Sequence, residues 1–133
     1  MTRREARETA FILIFEKQFN DDSLEEILLL AKQVRDIEPD EYVKQAFFGV
    51  FENIDTIDSC ISEKAVGWSI KRISKTALAV LRLAIFEIRY MENIPVSVSI
   101  NEAVEILKKY ATKQEASFVN GILSTVAKEC ADA

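Results

Sequence analysis

Residues 74–91, SKTALAVLRLAIFEIRYM, constrain the fold more than any other part of the chain. Ala77, Leu81, Ala84, Ile85 and Ile88 recur at helical spacing and define one apolar face; Ala79, Leu83, Phe86 and Tyr90 define a second. A helix that is apolar on nearly every side is a buried helix, so other helices must surround it. At about 18 residues it runs about 27 Å, the span of a small domain. Arg82 and Glu87 interrupt its middle, which argues against a membrane span.

The remaining helices follow from caps and spacing. Helix one is expected from about Thr2 to Phe19, with Thr2 and Glu5 at capping-box spacing and Ala6, Ala10, Leu13 and Ile14 facing inward. Ser23 caps a second helix that fades near Asp36. Pro39 marks the entry to a third, with an apolar repeat from Tyr42 to Ile61 that Asn53 is placed to break in two. Ser74 caps the central helix, and Pro95 stops it. Ser97 or Ser99 starts the next one, and Thr112 with Glu115 opens the last. Three glycines and two prolines leave little for tight turns and disfavour an all-β fold. The expected fold class is all-α: six to seven helices in two packed antiparallel bundles within a single domain, 1–133, divided at about 66/67.

The same residues exclude several kinds of chemistry. There is no histidine, and Cys60 and Cys130 are far apart, so neither a zinc site nor a Ser–His or Cys–His nucleophile is expected. No glycine-rich phosphate loop exists, and no cofactor is expected. No signal peptide is read, which makes the cytoplasm the default location.

Charge is more informative. The net charge of −5 is not that of a simple nucleic-acid binder, but carboxylates crowd the stretch from Glu16 to Asp58 while cations cluster elsewhere: Arg3, Arg4 and Arg7; Lys71, Arg72 and Lys75; Lys108, Lys109 and Lys113. Arginines in the first two turns oppose the helix dipole, and Arg3 and Arg7 repel at i, i+4. They read either as a solvated basic face or as a phosphate-contacting patch. Arg82, on an apolar helix, needs a partner, with Glu102 or Asn101 as candidates. Trp68 reads as packing across the bundle. Gly121, inside the last helix, implies the close approach of either a neighbouring helix or a ligand's backbone.

LRLAIFEI (81–88), then Ile94–Pro95, INEAVEI (100–106) and SFVNGIL (117–123), with RREAR (3–7) at the start and Gly67–Trp68 between, make the chain resemble the bacterial NusB family of transcription antitermination factors. These phrases span essentially the whole chain. The resemblance implies a non-enzymatic, all-helical protein that binds boxA RNA of nascent rRNA transcripts together with the ribosomal protein NusE. It also implies action on elongating RNA polymerase alongside other Nus factors. Carried over by position, Arg3, Arg4 and Arg7 fall on the arginine-rich RNA motif, thinned by Glu5. Ser117, Phe118 and Asn120 fall on the RNA-facing opening of the last helix, with Tyr110 and Lys113 on the preceding turn. Phe15 falls near the ribosomal-protein surface. Ala77–Leu78 stand where many members carry an acidic–basic pair.

Single-stranded RNA is held by cations on phosphates and bases stacked on aromatics, roles that Arg4, Arg7, Phe118 and Tyr110 could fill. Reversing charge at Arg4 and Arg7 is then expected to weaken RNA binding while leaving the fold intact. The residues leave two alternatives open. One is a helical protein–protein module without RNA binding. The other is a detached N-terminal domain of an rRNA cytosine methyltransferase, disfavoured because no catalytic domain follows. A homodimer covering the arginine face is compatible with the sequence, although no interface stripe demands it.

Overall fold

A computed structural model describes residues 1–38 and 40–132, the last two by backbone alone. Pro39, read above as the entry to the third helix, lies outside the described residues. Among them there are seven α-helices and no strand: α1 (Arg3–Lys17), α2 (Leu24–Arg35), α3 (Glu41–Glu52), α4 (Ile54–Lys64), α5 (Lys75–Tyr90), α6 (Val96–Tyr110) and α7 (Lys113–Asp132), with a short 3-10 turn at Ile70–Arg72.

Local chemistry sets most of these boundaries. Thr2 and Glu5 satisfy each other's backbone N–H groups in a reciprocal capping box at the start of α1. Ser23, Asp40 and Ser74 accept from the backbone N–H three residues on, capping α2, α3 and α5. Thr112 and Glu115 repeat the reciprocal pattern before α7. Asp36 ends α2 in the left-handed region at φ 53°, which Asp tolerates better than most residues. Asn53 separates α3 from α4.

α5 is the central element. It touches α1, α3, α4, α6 and α7, and its residues from Ala77 to Leu81 and Leu83 to Ile88 are buried. Its apolar side chains join those of the other helices in one core cluster.

Three expectations are corrected here. α6 begins at Val96, directly after Pro95, and not at Ser97 or Ser99. Ser99 is instead buried inside the helix, where its hydroxyl donates to Glu87 Oε1 at 2.9 Å. Arg82 pairs neither with Glu102 nor with Asn101. Its Nε and Nη2 reach Asp58 of α4 at 3.0 and 2.8 Å, and Nη1 reaches Gln18 Oε1 at 2.9 Å. Gly121 has no neighbouring helix: a Cβ there would meet nothing within 4 Å.

The close approach occurs at Gly49 of α3, where a Cβ would sit 2.2 and 2.3 Å from Phe86 ring atoms of α5. Phe86 is itself buried and stacked on Tyr90 at 5.4 Å, so it has little room to retreat. Gly49→Ala is expected to lower stability by about 1–3 kcal/mol through overpacking. Urea denaturation checks this, and adding Phe86→Leu should recover part of the deficit.

Candidate nucleic-acid interface

The arginines at the start of α1 lie within five residues yet have three environments: Arg3 and Arg7, one turn apart on one face, both approach the Tyr42 ring but at different depths, while Arg4 lies about 100° round the helix from Arg3. Arg3 is exposed and lies toward α3, its guanidinium 4.6 Å from the Tyr42 ring centroid. Arg4 faces α6 and α7. Arg7 points into the core.

Arg7 is only 4% exposed and Glu87 only 1%. Arg7 Nε donates to Glu87 Oε2 at 2.6 Å and Nη2 donates to Oε1 at 3.1 Å. The Tyr42 hydroxyl of α3 and the Ser99 hydroxyl of α6 donate to the same carboxylate. Burial raises the Tyr42 hydroxyl far above its ordinary value, and the Glu87 charge raises it further. For Arg7 burial works the other way, yet the hydrogen bonds and charge of Glu87 outweigh it and leave the guanidinium above its ordinary value. This network ties α1, α3, α5 and α6 together at one point. Arg7, expected among the phosphate-contacting residues, is therefore removed from the surface, because a buried carboxylate needs it. The companion expectation, that reversing its charge leaves the fold intact, falls with it.

Arg4 has the opposite surroundings. Its side chain is 71% exposed and pairs with Glu102 at 3.2 Å. It lines a groove of about 740 Å³ with Asn101, Lys108, Ser117 and Asn120, so the first turn of α1 and the beginning of α7 share one surface. Glu102 and Glu105 line it too, and Lys108 Nζ lies 3.1 Å from Glu105. The groove thus carries matched charges. Lys108–Glu105 is an exposed pair, worth about 0–1 kcal/mol, so an incoming phosphate displaces that carboxylate at little cost; Glu102 is only 17% exposed and also lies 3.7 Å from Arg7, so Arg4 keeps it and meets a phosphate with its solvent-facing side. A second cleft, of about 380 Å³, continues from Arg4 past Glu8 to Lys109. There Lys109 Nζ donates to Glu8 at 2.6 Å and the Tyr110 hydroxyl donates to the same oxygen. The Lys109 and Tyr110 bonds hold the Glu8 carboxyl below its ordinary value.

The aromatic candidates separate as well. The Tyr110 ring packs 5.2 Å from Phe11, and Phe11, Phe15 and Phe19 follow one another along α1 at 6.2 and 4.9 Å. Phe15 is half-buried in that row. Phe118 points to a different side of α7 from Ser117 and Asn120, and meets Trp68 at 5.9 Å. Trp68 does not pack across the bundle as expected; it is 52% exposed. It shares a cavity of about 380 Å³ with Phe118, Arg72, Ser74 and Glu115. Among the described residues, no carboxylate lies within ion-pair distance of Arg72, or of its chain neighbours Lys71 and Lys75. The Ser74 hydroxyl bond, with those from Thr112, holds the Glu115 carboxyl below its ordinary value. Lys113 is exposed at the first position of α7.

The geometry therefore offers two adjoining surfaces around the start of α7. One is a polar groove with solvent-facing cations, and the other is an aromatic pair beside uncompensated ones. Trp68, Arg72 and Lys108 belong to these surfaces but were not singled out as site residues from sequence. The clustering of Lys71, Arg72 and Lys75 was the available signal for the second.

The profile of the NusB family matches residues 4–128. The transcription antitermination protein NusB of Ruminiclostridium cellulolyticum is 42% identical over 130 residues, covering 96% of this chain and 90% of that protein. NusB of Listeria innocua is 38% identical over 129 residues, covering 97% and 98%. Among solved structures, T. maritima NusB superposes with a TM-score of 0.85 at 37% identity, covering 97% of this chain and 92% of that one. A crystal structure of antitermination factors NusB and NusE in complex with double-stranded RNA gives a TM-score of 0.86 at 27% identity, covering 96% of each chain.

Proposed function

The chain belongs to the NusB family, whose members are transcription antitermination factors and not enzymes, and from that premise we propose that it binds boxA RNA of nascent rRNA transcripts together with the ribosomal protein NusE. In this reading it acts in the cytoplasm, on elongating RNA polymerase with other Nus factors. The observation that carries the proposal is the shared groove: Arg4 from one end of the chain and Ser117 and Asn120 from the other line one exposed surface. The similar structure of NusB with NusE and double-stranded RNA supports both partners.

The division of labour follows from the two surfaces. Lys108 exchanges Glu105 for a phosphate, Arg4 meets another with its exposed side chain, and Lys109 and Lys113 extend the cationic track. Asn120 and Ser117 supply hydrogen bonds. Gly121, one turn beyond Ser117 and open to solvent, lets a sugar–phosphate backbone come close. Trp68 and Phe118 offer faces to unpaired bases, and Arg3 lies outside the groove. Because most of these cations start in ion pairs, the chain alone binds weakly. A second RNA-binding protein held alongside then raises affinity through effective concentration. The half-buried Phe15 row belongs to the NusE-facing side in this reading.

Arg4→Glu with Lys108→Glu is expected to weaken binding of a boxA oligonucleotide at least tenfold in gel shift, alone and with NusE. Circular dichroism should be unchanged, because both side chains are exposed. For a single strand, the log–log salt slope should flatten by about 0.7 for each phosphate that is no longer neutralised. Unchanged affinity would place RNA elsewhere on the protein. Running single- and double-stranded boxA side by side separates phosphate tracking, which both satisfy, from base stacking, which only the single strand does.

A further inference from the structure

α2 is the helix least absorbed into the core. It packs on α1, and among its residues only Ile27 and Ala31 are buried. Leu30 and Val34 are one turn apart on the flank next to Ile27, and they are 50% and 75% exposed. With Ile27 and Ala31 they line a groove of about 240 Å³, closed at one side by the Arg35–Glu16 ion pair and bordered by Asp22. Leucine and valine at these positions serve neither the core nor solubility, and water-exposed apolar side chains in a groove are free to be covered.

The charge around the groove selects what covers it. Residues 16–41 hold nine carboxylates and three cations, a net of −6, while the whole chain carries −5. The negative charge of the protein is therefore concentrated around α2. Two copies meeting through this face would bring like fields together, and a nucleic acid would be repelled. We propose that the groove formed by Ile27, Leu30, Ala31 and Val34, rimmed by Glu16 and Asp22, docks a basic amphipathic segment of a protein partner. Aliphatic side chains of that segment enter the groove, and its lysines or arginines meet the carboxylate rim. The mode is an amphipathic helix laid in an apolar groove, and it operates independently of the RNA-facing surfaces.

The test uses the full chain labelled with nitrogen-15 and three synthetic twelve-residue peptides. One is a leucine–lysine peptide with its leucines on a single helical face, one is a scrambled peptide of the same composition, and one is the leucine–glutamate counterpart. The amphipathic basic peptide is expected to bind saturably, with amide shifts concentrated in residues 24–35, and at least tenfold tighter than either control. Val34→Asp decides between pure Coulomb attraction and groove docking. It adds negative charge, so simple attraction would strengthen binding, whereas removing an apolar side chain from the groove weakens it at least fivefold. Leu30→Ser should act in the same direction. Both side chains are exposed, so melting curves should not move, and RNA affinity of the chain alone should be unchanged in both variants. Equal binding of the scrambled peptide, shifts spread over other faces, or tighter binding by Val34→Asp would each overturn the proposal. So would a concentration-dependent dimer that Val34→Asp abolishes, which would give the face to a second copy.

Discussion

Replacing Glu87 with alanine is expected to cost about 3–5 kcal/mol of stability, the largest effect of any polar substitution in this protein. The cause is what the truncation leaves behind. Arg7 stays buried with only Glu102, at 3.7 Å, left as a counter-charge, and the hydroxyls of Tyr42 and Ser99 lose their acceptor. Breaking a buried pair from one side costs far more than the intact pair contributes, because the charge left behind keeps most of its desolvation penalty. In a domain whose total stability is about 5–15 kcal/mol, this is enough to populate unfolded chain, and the melting temperature should fall by roughly 10–15 °C. Urea and thermal denaturation followed by circular dichroism measure it. The mechanism has its own check. Arg7→Met with Glu87→Leu, Tyr42→Phe and Ser99→Ala removes the buried pair and both hydroxyls, leaves Glu102 to Arg4, and should recover most of the stability, since apolar side chains of similar volume replace a buried ion pair well. If Glu87→Ala melts like the wild type, the network is not holding the four helices together.

This result bears on function. An Arg7 variant that fails to bind RNA would not report an RNA contact, because the same substitution disrupts the junction of α1, α3, α5 and α6. Binding should be compared only among variants whose melting curves overlap, which favours Arg4 and Lys108 as probes.

The second large effect concerns the aromatic pair. Trp68→Ala with Phe118→Ala is expected to weaken single-stranded boxA binding by about 10- to 100-fold, since each stacked base is worth about 1–3 kcal/mol. Double-stranded RNA of the same sequence should change little in affinity, because its bases are already stacked within the helix. Trp68 is half exposed, so its removal costs little stability, and Phe118→Leu serves as the control that keeps apolar volume against the core. Quenching of Trp68 fluorescence on titration with RNA offers a direct reading, as this is the only tryptophan in the chain. A double variant that binds single strands normally would leave the groove at Arg4 as the whole interface.

Local features are legible in the residues alone. The two reciprocal capping boxes, the serine caps of α2 and α5 and the break at Asn53 depend on residues three or four apart, so spacing reveals them. The burial of α5 follows from apolar residues on nearly all its faces. The all-helical class follows from such periods repeated along the chain.

Partnerships across long separations are not legible in that way. Arg7 finds Glu87 eighty residues away, and Arg82 finds Asp58 rather than the Glu102 that sequence suggested. Glu102 goes instead to Arg4 at 3.2 Å and to Arg7 at 3.7 Å. Ser99 has every mark of a cap, yet it serves a buried carboxylate. The required glycine is Gly49 and not Gly121, because only the packing of α3 on α5 tells which helix face must lie bare. Sequence determines helices through interactions within a turn, whose geometry is the same in every protein. Which of three neighbouring arginines meets solvent depends on how helices rotate against one another, and that rotation is decided by the whole core at once.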